Sequence, residues 1–427
     1  MALFRRARSS AHCPSTEEMF LYSRALWGFK EPRKQRVEYE KVRVTVEALP
    51  PSAANRFRSL DALRGICALF VAAYHFNTGG VVGALPLVQH SWIFVDYFFV
   101  LSGFVIAFSY GERIESREIS VGRFAALRFG RIYPLHLAMI AAFALLDVAL
   151  YVAGNAFSSV TVHEPFTGPR SPSSLLSNLL LLHSFGLDPA PTWNHPSWSI
   201  AAEMWSYLLF AMVLLAPRRL IPWIAGSLTV GALGVLVMTK PSIEAMQDLG
   251  FVRCVYGFGL GFLLFRVFRK VGPIGGHAAE LSTLALVVLF VSLAQGRWTF
   301  AAPPVFALEI YVLASARGIV SKILTYPPFQ LLGLVSYSIY MIHIFVEGRA
   351  VQLLHFAAPQ LTRWEGAQLV ISPPSRAVGD AILLSVLSLL VACSYASYRL
   401  IEKPGREFAR NLLNRRASQS RPANARA

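Results

Sequence analysis

The chain has 427 residues, of which 55% are hydrophobic and only 15% are charged. A soluble domain is about 25% charged, so this composition excludes an ordinary soluble protein. The formal net charge of +16 would suit nucleic acid or an anionic surface. In a membrane protein, however, the same excess is typical of Lys and Arg in cytoplasmic loops. We therefore expect a membrane protein without a nucleic-acid partner.

Three regions follow one another along the chain. Residues 1–58 are polar and basic, and we expect a cytoplasmic extension. Residues 59–404 form one transmembrane domain, because apolar runs of about 20 residues recur along it and each could cross a bilayer. Residues 405–427 are basic and predict a partly disordered cytoplasmic tail. The ten predicted spans are residues 61–78, 92–110, 132–153, 198–216, 220–239, 251–268, 280–296, 301–316, 328–347 and 378–399.

The distribution of Lys and Arg supports ten helices with both termini in the cytoplasm. Segments that this topology places inside, such as 1–60, 111–131 and 400–427, hold most of the basic residues, whereas the outer loops hold few. That asymmetry is what the positive-inside rule expects, and an odd number of spans would remove it. The sequence therefore predicts an all-α, polytopic helical bundle in the cell (inner) membrane.

The longest predicted outer loop, residues 154–197, is rich in Ser, Pro, Gly and Asn. Loops of this length are often functional. Its apolar stretch 175–185 is too short to span a bilayer and predicts a re-entrant or interfacial segment. The loop contains His163, Glu164, His183 and His195.

The cysteines give no sign of a disulfide framework or a metal site. Cys13, Cys67, Cys254 and Cys393 lie far apart and form no CxxC pair. Two of them, Cys67 and Cys254, fall within apolar segments. We expect no bound metal and no permanently bound cofactor.

The first span carries two ionisable residues, Arg64 and His75, on one face. Their spacing leaves them about 20° apart around a helix and about 16 Å apart along its axis. Ionisable side chains in membrane helices usually face protein or water, and an imidazole suits proton transfer near neutral pH. The spacing equally allows Arg64 to extend to the membrane interface and His75 to bond a carbonyl.

Further polar side chains lie in and before the next two spans. Asp96 either lines a pocket or pairs with a nearby cation, and Ser102 with Gly103 permits close helix packing. Arg128 and Arg131 share one face if their segment is helical. Two guanidiniums at the cytoplasmic entrance can clamp phosphates, such as those of coenzyme A. Ordinary positive-inside anchoring explains the same pair equally well.

The fourth span opens with Trp198 and Ser199 and carries Glu203 about one turn further. This carboxylate can orient a histidine, bind a hydroxyl of a substrate, or form a structural ion pair. His343 lies in the ninth span. It is either a pocket residue or a buried histidine whose hydrogen bonds are satisfied by its neighbours. The other pocket candidates are Ser102, Tyr133, Trp198, Ser199 and Tyr337.

Taken in order, these motifs resemble those of the acyltransferase-3 family of integral membrane O-acyltransferases. No single motif is specific to this family. The order and spacing of the motifs over roughly residues 57–406 are specific to it. The matching segments are Arg64-x10-His75, Phe98–Phe104, Arg128-x-x-Arg131 with Tyr133-Pro134, Ser197-Trp198-Ser199 with Glu203, Ser336–Tyr340 with His343, and Ile401–Pro404.

The resemblance implies a function and a set of roles. His75 would be the catalytic histidine, Arg64 its motif partner and Glu203 the carboxylate of the Trp-Ser segment. Arg128 and Arg131 would hold the phosphates of an acyl-CoA co-substrate, with acetyl-CoA the expected donor. The acceptor would be a hydroxyl of a carbohydrate, glycolipid or related molecule.

The sequence also departs from the family pattern. The family often has two consecutive acids after the Trp-Ser segment, but Met204 occupies the second position here, and Ala201 and Ala202 replace the commoner Ser and Val. Any role for a second carboxylate at that place is thereby put in doubt.

Two other functions suit part of the same pattern. A secondary transporter of a small anion or sugar would also bury ionisable residues in its spans, although paired broken helices in two halves are not evident. A structural membrane protein would not need so many of these residues, since each costs about 2.5–3.5 kcal/mol on insertion scales. For the enzyme, direct attack and a relay through acylated His75 both remain open.

Overall fold

The computed structural model describes residues 57–157, 164–366 and 368–419, and of these it describes 154–157 and 416–419 by their backbone alone. The described part of the chain is mainly helical, with fourteen α-helices. These are α1 (Arg58–His75), α2 (Pro86–Gln89), α3 (Phe94–Glu115), α4 (Val121–Phe157), α5 (Pro172–Leu179), α6 (Ser197–Val213), α7 (Ile221–Thr239), α8 (Gly250–Val271), α9 (His277–Leu293), α10 (Ala302–Ala314), α11 (Ile319–Leu324), α12 (Pro327–Ala357), α13 (Arg376–Ser397) and α14 (Lys403–Gln419).

Short irregular elements connect these helices. A π-helical turn, Tyr398–Glu402, joins α13 to α14. Strands β1 (Thr362–Glu365) and β2 (Gln368–Ile371) form an antiparallel hairpin between α12 and α13. The 3₁₀ turns are Ser91–Ile93, Gly168–Arg170, Gly296–Ala301 and Pro359–Leu361.

The fold is a helical membrane bundle, as the sequence predicts. Helices occupy all ten predicted spans, but among the described residues six segments are long and apolar enough to cross a membrane. The other four predicted spans fall on α1, α6, α9 and α10, which are shorter or more charged. The six segments are Ser91–Glu115, Val121–Ala153, Ile221–Thr239, Gly250–Val271, Pro327–Ala357 and Arg376–Arg415.

Glycines allow two pairs of helices to approach closely. Helix α1 packs along α12 in the same direction, and a Cβ on Gly65 would lie 2.2 Å from the carbonyl carbon of Leu332. Helix α3 packs on α8, where a Cβ on Gly103 would lie 2.0 Å from the carbonyl oxygen of Phe258. Both contacts place backbone against backbone, so a larger residue at either glycine would separate the helices.

Helices extend into two segments that the sequence places between or after the membrane spans. The predicted inner segment 111–131 is mostly helical, because α3 continues to Glu115 and α4 already begins at Val121. The tail that the sequence predicts to be partly disordered is helical as far as Gln419. Helix α14 is held against α4, where Gly405 and Pro134 are in close contact, so packing orders a segment whose composition alone suggests disorder. Residues 1–56 and 420–427 lie outside the described residues, as does His163.

Candidate active site

His75 ends α1 and lines a partly open cavity. The cavity contains about 520 Å³ of space not occupied by atoms, including the part open to solvent. Its wall combines apolar and aromatic side chains with a few titratable groups, which is the usual composition of a ligand pocket. The lining residues are Val71, Tyr74, His75, Trp92, Val95, His195, Pro196, Trp198, Glu244, Met246, Arg253, Tyr340 and His343. We call it the imidazole cavity.

Three imidazoles meet in this cavity. The ring centroid of His75 lies 5.1 Å from that of His343 and 5.7 Å from that of His195. Nδ1 of His343 lies 2.7 Å from the carbonyl oxygen of Tyr340, which fixes the proton on Nδ1. The Nε2 atoms of His195 and His343 are buried without a hydrogen-bond partner in the described part of the chain. The cavity therefore offers unpartnered nitrogen acceptors beside His75.

Burial affects the titration of His195, which lies in the loop before α6. Desolvation lowers the pKa of this histidine from its ordinary value. A neutral imidazole can accept a proton, so His195 is available as a hydrogen-bond acceptor at neutral pH.

A buried ion pair forms one wall of the cavity. Arg253 of α8 donates to both carboxylate oxygens of Asp96 of α3, at 3.0 and 2.7 Å. The side chains are 1% and 0% exposed. The Arg253 guanidinium also lies 5.6 Å from the ring of Trp92 and 5.5 Å from that of Trp198. The pair therefore holds two indoles in place and joins α3 to α8.

A hydrogen bond between two hydroxyls fixes the neighbouring wall. Ser199 of α6 donates to the hydroxyl of Tyr340 at 2.8 Å. Tyr340 lies one turn before His343 on α12, so this bond links the Trp-Ser segment to the histidine motif.

Arg64 lies elsewhere, although it faces the same helix as His75. Its Nε donates to Ser336 of α12 at 2.8 Å, and a second nitrogen lies 3.1 Å from the carboxylate of Asp61. Arg64 is not among the lining residues of the imidazole cavity. Arg64 and His75 thus both contact α12, but of the two only His75 lines the imidazole cavity.

The predicted cations lie in a second polar region, which we call the arginine cluster. It consists of Arg64, Arg128 and Arg131 with the carboxylates of Asp61, Glu203 and Glu402. Arg131 interacts electrostatically with all three carboxylates. Arg128 donates to the hydroxyl of Tyr110 at 3.0 Å, and its guanidinium lies 4.9 Å from that ring. The Nε of Arg128 is buried without a partner in the described part of the chain.

Glu203 belongs to the arginine cluster and not to the imidazole cavity. It accepts hydrogen bonds from Ser102 and from Tyr207. The predicted pocket candidates therefore divide. Asp96, Trp198, Ser199 and His343 lie at or directly behind the cavity wall, whereas Ser102 lies with Glu203.

Two tyrosines from the sequence motifs donate to backbone carbonyl oxygens of neighbouring helices. Tyr133 donates to the carbonyl oxygen of Leu179 at 3.0 Å and stacks on Phe129. Tyr337 donates to the carbonyl oxygen of Ile132 at 2.5 Å and interacts electrostatically with Glu402, so it adjoins the arginine cluster.

Sequence reasoning did not name several polar and aromatic lining residues as site members, among them Tyr74, Trp92, His195, Glu244, Arg253 and Tyr340. The signal for Arg253 was its position as a basic residue within a predicted span. Tyr340 was visible only as part of the histidine motif, and Glu244 lies in a short loop with no motif around it.

Apart from the three histidines of the cavity, two further histidines are buried side by side within the fold. The rings of His136 of α4 and His183 stack with centroids 5.8 Å apart, and both side chains are buried. Nε2 of His183 lies 3.0 Å from the hydroxyl of Ser197. Burial lowers the pKa of His183 to about 4, so this imidazole is neutral at pH 7. It packs behind the start of α6 and does not line the imidazole cavity.

Comparisons with known proteins agree on one family. A family model described as an acyltransferase domain, of the acyltransferase-3 type, matches residues 57–396. Acyltransferase MdmB of Streptomyces mycarofaciens is 27% identical over 391 residues, which cover 83% of this chain and 93% of that protein. Peptidoglycan O-acetyltransferase OatA of Listeria monocytogenes is 25% identical over 385 residues, 82% of this chain and 56% of that protein.

A shorter match has higher identity. Protein 2 in the picA locus of Rhizobium radiobacter is 33% identical over 156 residues, which cover 36% of this chain and 80% of that protein. No solved structure matches the chain significantly.

Proposed function

The chain belongs to the acyltransferase-3 family, and from this premise we propose that it is an enzyme of the cell (inner) membrane that transfers an acyl group, expected to be acetyl, from acyl-CoA to a hydroxyl of a carbohydrate or related acceptor. Its relatives MdmB, an acyltransferase, and OatA, a peptidoglycan O-acetyltransferase, support the reaction type, and OatA also supports the acceptor class. The transporter alternative is not favoured, because the family is one of acyltransferases.

One observation carries the proposal: His75 lies at an open cavity beside two imidazoles with unpartnered nitrogen atoms. Most buried polar atoms in a fold are satisfied, so unpartnered acceptors around a cavity indicate a place for a ligand. A hydroxyl acceptor would supply the missing donor. The aromatic walls would exclude water from a thioester, which limits its hydrolysis.

The reaction follows from general base chemistry at His75. The imidazole removes the proton of the acceptor hydroxyl as that oxygen forms a bond to the thioester carbonyl carbon. The tetrahedral intermediate then collapses, the carbon–sulfur bond breaks, and the coenzyme A sulfur takes the proton from His75. The alternative, in which His75 is first acylated and then transfers the group, uses the same placement of donor and acceptor.

The arginine cluster is suited to binding the phosphates of the acyl-CoA donor. By the predicted topology it lies toward the cytoplasm, where acyl-CoA is found, and the imidazole cavity lies toward the opposite face. Guanidiniums bind phosphate oxygens in a bidentate manner, and Nε of Arg128 is a buried donor without a partner. Arg64 and His75 are about 16 Å apart along α1, a distance that the extended arm of coenzyme A would cross.

The test measures acyl transfer by the full-length protein in native membranes supplied with acetyl-CoA. The free thiol reports loss of the donor, and mass spectrometry of the membrane glycans reports the acetyl group gained. We expect His75→Ala to reduce both by at least about 100-fold. His277→Ala is the matched control, because His277 is exposed at the start of α9. Transfer by His75→Ala at the level of the control, with equal protein in the membrane, would refute the assignment.

A further inference from the structure

The loop between α7 and α8 places one carboxylate at the imidazole cavity. Glu244 is exposed and lines the cavity, whereas its neighbours Ile243 and Ala245 are 0% and 1% exposed. The backbone N–H of Ile243 donates to Thr299 at 2.9 Å, and Arg253 lies 3.4 Å from the carbonyl oxygen of Ala245. The loop is therefore anchored on both sides of Glu244, and its side chain is presented to the cavity.

Aromatic rings border the same opening. Trp92, Trp198 and Tyr74 line the cavity, and Tyr74 interacts electrostatically with Glu244. Arg253 lies close to both indoles, so their orientation is set by the ion pair behind them. Flat apolar rings beside a carboxylate suit a ligand that has apolar faces and several hydroxyl groups around its edge.

The charges around the cavity leave a negative excess. The charge of Arg253 is neutralised by the carboxylate of Asp96. The ring centroids of His343 and His195 lie 5.1 and 5.7 Å from that of His75, and rings this close would repel each other if protonated, which disfavours positive charge in the cavity. Among the lining residues of the described chain, Glu244 then remains as the one uncompensated charge. A negatively charged ligand would meet an acidic cavity, whereas a neutral one would meet a hydrogen-bond acceptor.

We propose that the cavity mouth is an acceptor subsite, in which Glu244 accepts hydrogen bonds from the hydroxyls of a sugar ring that carries no negative charge, while the partly exposed rings of Trp92 and Tyr74 pack against the faces of that ring. The inference rests on the proposed function, since it concerns the acceptor of that same site. It narrows the acceptor from carbohydrates in general to neutral or amino sugars.

Two sugars that differ at one group test this charge selection. Methyl β-glucoside and methyl β-glucuronide have the same ring, and only the second carries a carboxylate. Their dissociation constants for the purified full-length protein would be measured by ligand-observed NMR. In the wild type the glucoside should bind about tenfold more tightly, because like charges a few ångströms apart at a protein surface repel by roughly that factor. Glu244→Gln should reduce the preference to within about twofold.

The matched control removes a charge from the same loop. Asp248 is half-exposed, is paired with Lys240 and does not line the cavity, so Asp248→Asn should keep the full preference. Three results would overturn the subsite: no binding of the glucoside, an equal or greater affinity for the glucuronide in the wild type, or an unchanged preference in Glu244→Gln. The His75-dependent transfer in native membranes is measured separately, so it tells failure of the subsite from failure of the proposed function.

Discussion

The imidazole cavity and the arginine cluster differ in how far their polar atoms are already satisfied. Two of the three histidines of the cavity have a buried nitrogen without a partner. In the cluster, Glu203 accepts from Ser102 and Tyr207, and Arg64 bonds both Ser336 and Asp61. Nε of Arg128 is the cluster's buried atom without a partner in the described chain.

On the proposed function, this difference distinguishes the site of acyl transfer from the site that binds the phosphates of the donor. Unpartnered acceptors at an opening can take a proton from a ligand without first losing an internal bond. Cations that already face carboxylates exchange one set of interactions for another when a phosphate arrives, so each adds less to affinity. Substitutions in the walls of the cavity should therefore have larger effects than substitutions in the arginine cluster.

The largest expected effect is on the ion pair behind the cavity. Arg253→Met leaves the Asp96 carboxylate buried and uncompensated, which should reduce stability by about 3–5 kcal/mol. Asp96→Leu combined with Arg253→Met should recover most of that loss, because neither charge then remains. Thermal unfolding of the purified protein in detergent measures both.

The exposed ion pair Arg363–Glu365 serves as the reference for this loss of stability. Removing it with Glu365→Gln should cost less than about 1 kcal/mol. If Arg253→Met were as mild as that surface change, the pair would not support the cavity wall.

The buried pair of His136 and His183 provides a contrast with the open cavity. The pKa of His183 is about 4 in the folded protein and about 6.5 in an unfolded chain. As pH falls, the unfolded chain binds the proton first, so stability is lost from about pH 6.5 downward and the loss is complete below pH 4. The total is about 3 kcal/mol.

The pH dependence of unfolding tests this sign. His183→Gln should flatten the fall in unfolding temperature between pH 7 and pH 4, because glutamine does not titrate. His277→Gln, at an exposed position, should leave the wild-type slope unchanged. An unaltered slope in His183→Gln would show that another group controls acid unfolding.

The sequence predicts the helices and single polar residues better than it predicts which residues meet in one site. Hydrophobic periodicity locates helices well, because each apolar stretch must be buried in lipid or protein. It also exposes single ionisable residues such as Asp96 and Arg253. Pairing them requires the fold, since they lie 157 positions apart in the chain. Spacing likewise places Arg64 and His75 on one face of α1, but whether two residues share a cavity depends on α12 and the loops.

Loops and helix ends were the least predictable parts. His195 and Glu244 reach the cavity from connections whose path is set by tertiary contacts, and no periodic pattern reports those contacts. Helix α14 shows the same limit, because its order comes from packing on α4 and not from its polar composition.

The crossing of α1 and α12 lies next to the arginine cluster and also determines the contact between His75 and His343. Gly65→Ala would bring a methyl group against Leu332 and should cost about 1–3 kcal/mol in stability. Because both helices would shift, turnover should fall as well. Gly234→Ala on α7 meets no atom within 4 Å and should be neutral or slightly stabilising. Equal behaviour of the two variants in thermal unfolding would contradict a tight crossing.

The smallest expected effect is on donor affinity at the arginine cluster. Arg128→Ala combined with Arg131→Ala should raise KM for acetyl-CoA by about tenfold and change kcat little, because the cluster's carboxylates already compensate part of the positive charge. Arg117→Ala combined with Arg123→Ala removes the same charge from the neighbouring segment outside the cluster and should leave KM within about twofold. A fall in kcat with unchanged KM would mean that these arginines act on the reacting atoms, and the distinction between the site of acyl transfer and the site that binds the phosphates would then fail.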